Sequence, residues 1–400
     1  MRWRLSMKQV KYDVIVVGAG PAGSLAAIHA AKGGAKTLLL EKDRDIGYPV
    51  RCAEGVSHIG LTNYVALDPR WIRSTIKDAI LIAPDSTQVP VATNNEMGYI
   101  IDRRIFDYDL AMLAAKEGVE VQTKAYVYDL LKAENGAVTG VKLDYMGKKL
   151  EIASKIVIGA DGVESRVGRW AGLHTAVKIK DMESCAQFTV AGINVDPGKI
   201  LFYFGESWAP GGYLWVFPKG NNLANIGLGV NGERTGLGCA LDLLSKFLKN
   251  HYPEASILTT VAGGVPVAKT LKRITTDGLL LVGDAARTVN PISGGGIATG
   301  MLSGKLAGEI AAEAIEKGDF SNSYLENYSK KWSKAQGKNH ERLYRVKEVI
   351  FRLTDEELNS LAAKVINIPV SERTLLRIFK TLFMNRPALM KDILLAIAGL

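Results

Sequence analysis

The sequence predicts a mixed α/β fold in which a nucleotide-binding α/β unit is interleaved with an antiparallel β-sheet unit and followed by a helical C-terminal region. Three observations carry this expectation. A short β-branched run near the N-terminus leads into a glycine-rich turn and an Ala-rich helical segment. Two further apolar runs, each ending at an Asp beside Gly, lie far along the chain. From Cys185 to Val230 the pattern is short aromatic runs punctuated by Gly and Pro, a β signature. Nucleotide-type strands this far apart in sequence require an interleaved chain. The expected boundaries are 11–70, 99–184 and 265–320 for the nucleotide-binding domain, 71–98 and 185–264 for the β-sheet substrate domain, and 321–400 for the helices.

The first unit has the most specific signal. Tyr12 to Val17 reads as a buried strand, and Gly18, Gly20 and Gly23, with Ala22 inside the motif, fall at G-x-G-x-x-G spacing. Ser24 to Lys32 reads as a helix closed by Gly33-Gly34, and Thr37 to Leu40 as a second strand ending at Glu41. The first glycine makes the tight turn, the second admits a pyrophosphate close to backbone, and the third lets helix pack on strand. The diphosphate then lies at the helix N-terminus, and the acid takes ribose hydroxyls. FAD and NAD satisfy this logic equally.

Further along, Ile46 to Gly55 is a turn-rich loop, and Tyr99 to Leu113 reads as a strand end and then a helix carrying Arg103 and Asp107. Glu120 to Tyr145 alternates in short strands with a turn at Asn135-Gly136. Lys155 to Gly162 is a buried strand running into Asp161. Gly278 to Val282 is another, ending in Gly283-Asp284-Ala285-Ala286 and leading through Pro291 and Gly294 to Gly296 into a long helix from Ile297. Everything after Ser321 reads as helical.

Composition excludes several classes. Three cysteines (Cys52, Cys185, Cys239) in 400 residues do not make a disulfide scaffold, which points to a reducing cytoplasm. Five histidines show no ligand spacing, and no metal site is expected. No apolar run is long enough to span a bilayer. Met1 to Met7 read as a short extension, with Met7 an alternative start, because no apolar region of a signal peptide follows. The net charge is +9, with a basic run from Lys330 to Arg352 that includes Lys331, Arg342, Arg345 and Lys347. Such a surface can meet anionic lipid or an acidic partner, but a solvated helix face is the preferred reading, and no nucleic-acid partner is expected.

The N-terminal motif, Ala160-Asp161-Gly162 and Gly283-Asp284-Ala285-Ala286 together resemble the flavoprotein hydroxylase-like superfamily, and the resemblance selects FAD over NAD. It implies that Asp284 contacts the ribityl chain and that the turn and helix at Gly294 to Ile297, with Gly296, face the flavin ring. A narrower resemblance rests on Val50-Arg51-Cys52-Ala53-Glu54-Gly55, on Gly159 to Trp170, and on Pro210, Tyr213, Trp215, Phe217 and Pro218 at P-x-x-Y-x-W-x-F-P spacing. These are similar to the geranylgeranyl reductase family, and within it to the archaeal digeranylgeranylglycerophospholipid reductases. The family implies reduction of isolated double bonds in prenyl chains of archaeal membrane-lipid precursors, with electrons from reduced ferredoxin or NAD(P)H. It also implies cofactor contacts at Cys52, Ala53, Gly55, Arg103 and, through backbone, Val127.

The chemistry sharpens these assignments. An unactivated alkene demands close placement, a dry slot and a proton source. In a strand, Tyr213, Trp215 and Phe217 share one face, and with Pro210 they suit a wall for an isoprenoid tail. The bland alternative is three core residues of a sheet. Cys52 is the candidate catalytic residue, either a proton donor or a shaper of the flavin pocket, and a neighbouring Arg would favour its thiolate. The alternative is a small apolar core residue. Cys185 and Cys239 read as core. For Arg103 the alternative is a surface ion pair with Asp107 at i+4. A buried Asp284 would be costly without a hydroxyl partner. Leu375, Ile378, Phe379, Leu382 and Phe383 lie at helical spacing opposite Arg373, Arg377 and Lys380, a basic amphipathic helix suited either to a membrane surface or to packing on the body. On the same fold, a flavin monooxygenase or halogenase and a non-catalytic prenyl-lipid carrier are the competing readings.

Overall fold

The computed structural model describes residues 11–92, 98–236, 239–383, 390–391 and 394–395. The extension expected at Met1 to Met7 lies outside the described residues.

Three sheets organise the chain. The first has eight strands, ordered Thr275–Thr276, Leu279–Leu281, Lys148–Gly159, Lys11–Val17, Thr37–Leu40 and Glu120–Gln122, with Val138–Tyr145 and Ala125–Lys132 continuing antiparallel from Lys148–Gly159. Its centre is parallel: Val14 to Val17 pair with Ile156 to Gly159 on one side and with Thr37 to Leu40 on the other. Strands buried on both faces become continuous apolar runs, which is why they stand out in the sequence. The expected first helix is present as Pro21–Lys32, and Gly34, not Gly33, takes the left-handed backbone that ends it. Helix Ile297–Lys317 packs on this first helix through glycines. A Cβ at Gly304 would lie 2.0 Å from the Ala22 carbonyl oxygen, and one at Gly308 would lie 2.3 Å from that of Ala26.

The second sheet has seven strands, ordered Ser256–Val265, Glu183–Ala191, Leu223–Asn231, Tyr213–Pro218, Lys199–Tyr203, Asp78–Ile82 and Gln88–Val91. It is antiparallel except where Lys199–Tyr203 runs parallel to Asp78–Ile82. Helix Cys239–His251 covers one face with Leu244, Phe247 and Leu248. The third sheet, Gly55–Ser57, Gly98–Ile101 and Ile72–Ile76, is sandwiched between the other parts. Tyr99 and Ile101 pack with Phe106 and Leu110 of helix Arg103–Lys116, whereas Ile76 and Ile100 pack against Trp215 and Phe217 of the large β-sheet.

The C-terminal helices are Asn322–Trp332, Lys338–Ile350, Asp355–Val365 and Leu375–Leu382. Leu325, Tyr328 and Trp332 complete the core of the first sheet. Two expected basic surfaces are not wholly solvated. Lys347 is buried: its ammonium meets Asp181 at 3.2 Å and donates to the Val267 carbonyl. Arg373 is buried and donates to the Ile366 and Ile368 carbonyls, so it does not belong to the basic face of the last helix. A guanidinium or ammonium inside the protein needs fixed acceptors, and here carbonyls and the carboxylates of Asp181 and Glu348 supply them. That last helix packs on the body through Ile378 and Phe383, while Leu375 stays 55% exposed. Among the described residues, no helix is long and apolar enough to cross a membrane.

Candidate active site

The glycine turn is built by close backbone approach. Gly18 takes φ +105°, and a Cβ there would lie 2.4 Å from the Ala160 carbonyl oxygen; one at Gly23 would lie 1.9 Å from that of Gly18. A Cβ at Gly20 would meet nothing within 4 Å. Helix Pro21–Lys32 has no side-chain cap, so its first N–H groups face that open space. The Glu41 carboxylate accepts from the Ala19 and Asp43 N–H groups at 2.9 and 3.0 Å, which fixes it beside the turn with lone pairs to spare. Val127 follows in the strand that starts where Ala125 donates to the Glu41 carbonyl. Open backbone N–H groups and an oriented acid fit the diphosphate and ribose of a dinucleotide.

The late motif closes on the first. A Cβ at Gly283 would lie 2.9 Å from that of Ala22, and Ser165, just after Asp161, donates to the Ala285 carbonyl. Asp161 accepts from the Val167 N–H through one oxygen and buries the other without a hydrogen-bond partner among the described residues. Asp284 is half-buried, and its carboxylate accepts no hydrogen bond among the described residues. Burial pushes its pKa up to about 6, the charge of Arg103 opposing. A hydroxyl-rich ribityl chain is the partner such a group lacks. Gly296 lies against it, since a Cβ there would be 3.2 Å from Asp284 Oδ1, and Ile297 begins the long helix without a side-chain cap.

Arg103 forms a two-pronged pair with Asp107, at 2.7 and 2.6 Å. The i+4 pairing is as the spacing predicts, but the pair is buried, not on the surface. Burial opposes the guanidinium charge, and Asp107 more than offsets it. Arg103 also faces Cys52, which corrects the expectation for that cysteine. Arg51 is exposed. Burial raises the Cys52 thiol above its ordinary 9.0, outweighing Arg103, so the group is a thiol and not a thiolate.

Tyr213, Trp215 and Phe217 lie along one face of their strand with ring centroids 5.9 and 6.4 Å apart. Phe202 from the next strand stacks edge-on against Tyr213 and Phe217. Two glycines opposite make the room: a Cβ at Gly227 would lie 2.4 Å from Trp215 Cζ2, and one at Gly229 would lie 3.2 Å from Cys185 Sγ. Cys185, read from sequence as core, packs within this aromatic cluster beside Ala53. Pro210 precedes the wall, its carbonyl taking the Asn231 N–H. The Tyr213 hydroxyl donates to the Ser293 carbonyl and so ties the wall to the loop before Gly296.

The wall also grips the Cys52 loop, and this the motif reading missed. Gln187 donates to the Cys52 carbonyl at 2.9 Å and accepts from Trp215 Nε1 at 3.1 Å. Asn225 donates to the Ala53 carbonyl and to Glu54 Oε2, which Lys219 also reaches; Glu54 Oε1 takes the Arg103 N–H at 2.9 Å. Gly55 lies against Phe217, and a Cβ there would be 3.0 Å from the ring. The signal was available: Gln187 falls two residues after Cys185 on a strand, and Glu54 follows Cys52 by two.

Fold and site together define an FAD-dependent oxidoreductase. The family described as FAD dependent oxidoreductase matches residues 13–204, and that of the geranylgeranyl reductase catalytic domain matches residues 181–265. The chain is 47% identical to digeranylgeranylglycerophospholipid reductase 2 of Methanococcoides burtonii, over 96% of this chain and 95% of that one, and 44% identical to the Methanocella arvoryzae reductase, over 96% and 98%. It is also similar to the crystal structure of a geranylgeranyl bacteriochlorophyll reductase-like protein from Thermoplasma acidophilum, with TM-score 0.90, 38% identity, and coverage of 96% and 98%. The chain belongs to the digeranylgeranylglycerophospholipid reductase family. A flavin-dependent brominase at 18% identity and TM-score 0.69 shares the fold alone.

Proposed function

We propose that this chain is an FAD-dependent reductase that saturates C=C bonds of the geranylgeranyl chains in digeranylgeranylglycerophospholipids, precursors of archaeal ether-lipid membranes. Its family membership supports the activity, and one observation supports the site: the aromatic wall of Tyr213, Trp215 and Phe217 is hydrogen-bonded through Gln187 to the Cys52 loop. Gly18, Gly20, Ala22, Gly23, Glu41 and Val127 would hold the ADP end of FAD. Asp284, Gly296, Ile297, Arg103, Ala53 and Gly55 would hold the ribityl and ring end. When bound and reduced, FAD supplies hydride to an alkene carbon.

The chain's own residues do the rest. Trp215 and Phe217 are buried against Ile76 and Ile100, so the wall would back the prenyl slot as a fixed apolar surface that keeps water out. Gln187 and Asn225 fix the Cys52–Ala53 carbonyls, which points the thiol without leaving its loop free to move. Cys52 Sγ holds the proton that completes the addition, and burial keeps it there. Reduced ferredoxin or NAD(P)H would reload the flavin. The enzyme would work in the cytoplasm at the inner face of the membrane that holds its substrate, with the exposed Leu375 edge of the last helix as a peripheral contact.

Anaerobic incubation of dithionite-reduced protein with the unsaturated lipid tests this by mass spectrometry. Gain of two hydrogens per double bond is expected without oxygen. Reduction that requires air would favour a monooxygenase, and a colourless protein without flavin absorption would favour a carrier. Cys52→Ser should retain FAD and slow turnover by about 10²-fold, the lower range of general-acid contributions; unchanged turnover removes Cys52 from the mechanism.

A further inference from the structure

Glu54 stands two residues after Cys52 with its backbone at φ +70°, the left-handed region that a residue with a Cβ enters only when something holds it there. In that conformation its N–H donates to Cys52 Sγ at 3.2 Å. The carboxylate is what holds it. The residue is 1% exposed, and both oxygens are taken. Oε1 accepts from the Arg103 N–H at 2.9 Å, at the start of helix Arg103–Lys116. Oε2 accepts from the Asn225 amide at 2.6 Å and from the ammonium of Lys219, itself buried. Thr189 donates to the Asn225 amide oxygen at 2.8 Å, which turns the N–H end of that amide toward Glu54. The Glu54 carbonyl takes the Ile101 N–H at 2.9 Å. Every other polar atom of Glu54 is thus fixed by a neighbouring element, and the N–H is left for the sulfur.

We propose that Glu54 is the positioning residue of Cys52: its clamped carboxylate holds the turn that aims its N–H at the sulfur. The inference rests on the reductase reading and on Cys52 as proton donor. With the N–H on a sulfur lone pair, the S–H is directed elsewhere, and it donates to no protein acceptor among the described residues. As the alkene carbon that did not take hydride is protonated, the S–H bond breaks, a C–H bond forms and the electron pair stays on sulfur. The Glu54 N–H and the Arg103 guanidinium then face a thiolate, and solvent returns the proton. Burial keeps the thiol protonated at rest, and those same two groups oppose burial. A donor already in place needs no rearrangement when charge appears on sulfur. The clamp also joins the thiol to the wall, because Lys219 follows strand Tyr213–Pro218 and Asn225 pairs with Phe217.

The test removes the clamp without stranding a charge. Glu54→Gly combined with Lys219→Met leaves neither ion of the pair, and glycine accepts the left-handed backbone, so the fold should be kept. Asn225 retains its bond to the Ala53 carbonyl. In anaerobic dithionite assays with digeranylgeranylglyceryl phosphate, this clamp variant should retain FAD and keep KM within about twofold. It should lose about tenfold in kcat, part of the about 10²-fold that Cys52 itself carries. Its loss should not multiply with that of Cys52→Ala, because Glu54 acts through the thiol.

A second readout needs no turnover. Amide hydrogen exchange at residue 54 of the oxidised holoenzymes should be slow in the wild type. It should be at least about tenfold faster in Cys52→Ala, which removes the acceptor, and in the clamp variant. If the clamp variant does not fold or does not retain FAD, exchange in the wild type and Cys52→Ala decides. A clamp variant with wild-type kcat, losses that multiply, or residue-54 exchange unchanged by Cys52→Ala overturns the proposal alone. Cys52→Ala at the wild-type rate removes Cys52 from the mechanism and this proposal with it. A wild type that reduces no lipid overturns the reductase reading as well.

Discussion

Replacing Asp284 with Asn tests the flavin end of the site through stability alone. In the cofactor-free protein Asp284 has a raised pKa, about 6 against the ordinary 3.8. Between those values the folded chain holds a proton that the unfolded chain has released, so stability falls as pH rises through that window and stays reduced above it. A shift of about two units corresponds to about 3 kcal/mol at 1.36 kcal/mol per unit. Because the side chain keeps some water contact, the loss expected is about 2 kcal/mol. Urea denaturation of cofactor-free wild type and Asp284→Asn, from pH 4 to pH 7.5, measures it. The variant should gain about 2 kcal/mol over the wild type across that range, its own curve lacking this slope. It should also bind FAD about tenfold more weakly, having lost a charged hydrogen-bond acceptor. Parallel stability curves would refute the desolvated carboxylate, and unchanged FAD affinity would refute its ribityl role.

Two other substitutions probe the supports. Arg103→Ala should destabilise by about 3–5 kcal/mol in denaturant titration, because Asp107 is left buried and unpaired. Arg103→Lys should recover only part of this, since one ammonium cannot reproduce the two-pronged contact. Gly227→Ala should cost about 1–3 kcal/mol and lower turnover with FAD still bound, as the new methyl must displace Trp215 from 2.4 Å; a variant with wild-type rates would show that the wall's position is not critical.

Much of the architecture was legible because periodicity and steric need leave local marks. Gly18 and Gly23 are glycine because backbone occupies the space a Cβ would take, so the motif could be read without coordinates. Tyr213, Trp215 and Phe217 share a face for the two-residue reason that predicted it. The readings that changed were those that depend on burial. Lys347 counts as a surface charge in a basic run and Arg373 as one on the basic face of an amphipathic helix, yet each meets fixed acceptors contributed by distant or turned backbone. Cys52 beside Arg51 suggested a thiolate, but a loop directs Arg51 outward and a helix brings Arg103 inward.

By itself the chain's order of residues determined the cofactor class, the interleaved α/β plan and the aromatic strand, since each follows from local spacing. Tertiary structure alone decided which groups meet. Gln187 and Trp215 are 28 residues apart, and Gln187 and Cys52 are 135 apart, so only pairing of strands and the packing of the small sheet against the wall joins them. It also decided protonation. A carboxyl or thiol has its ordinary pKa in an extended chain, and only the removal of water by residues far away in sequence moves Asp284 and Cys52 from it.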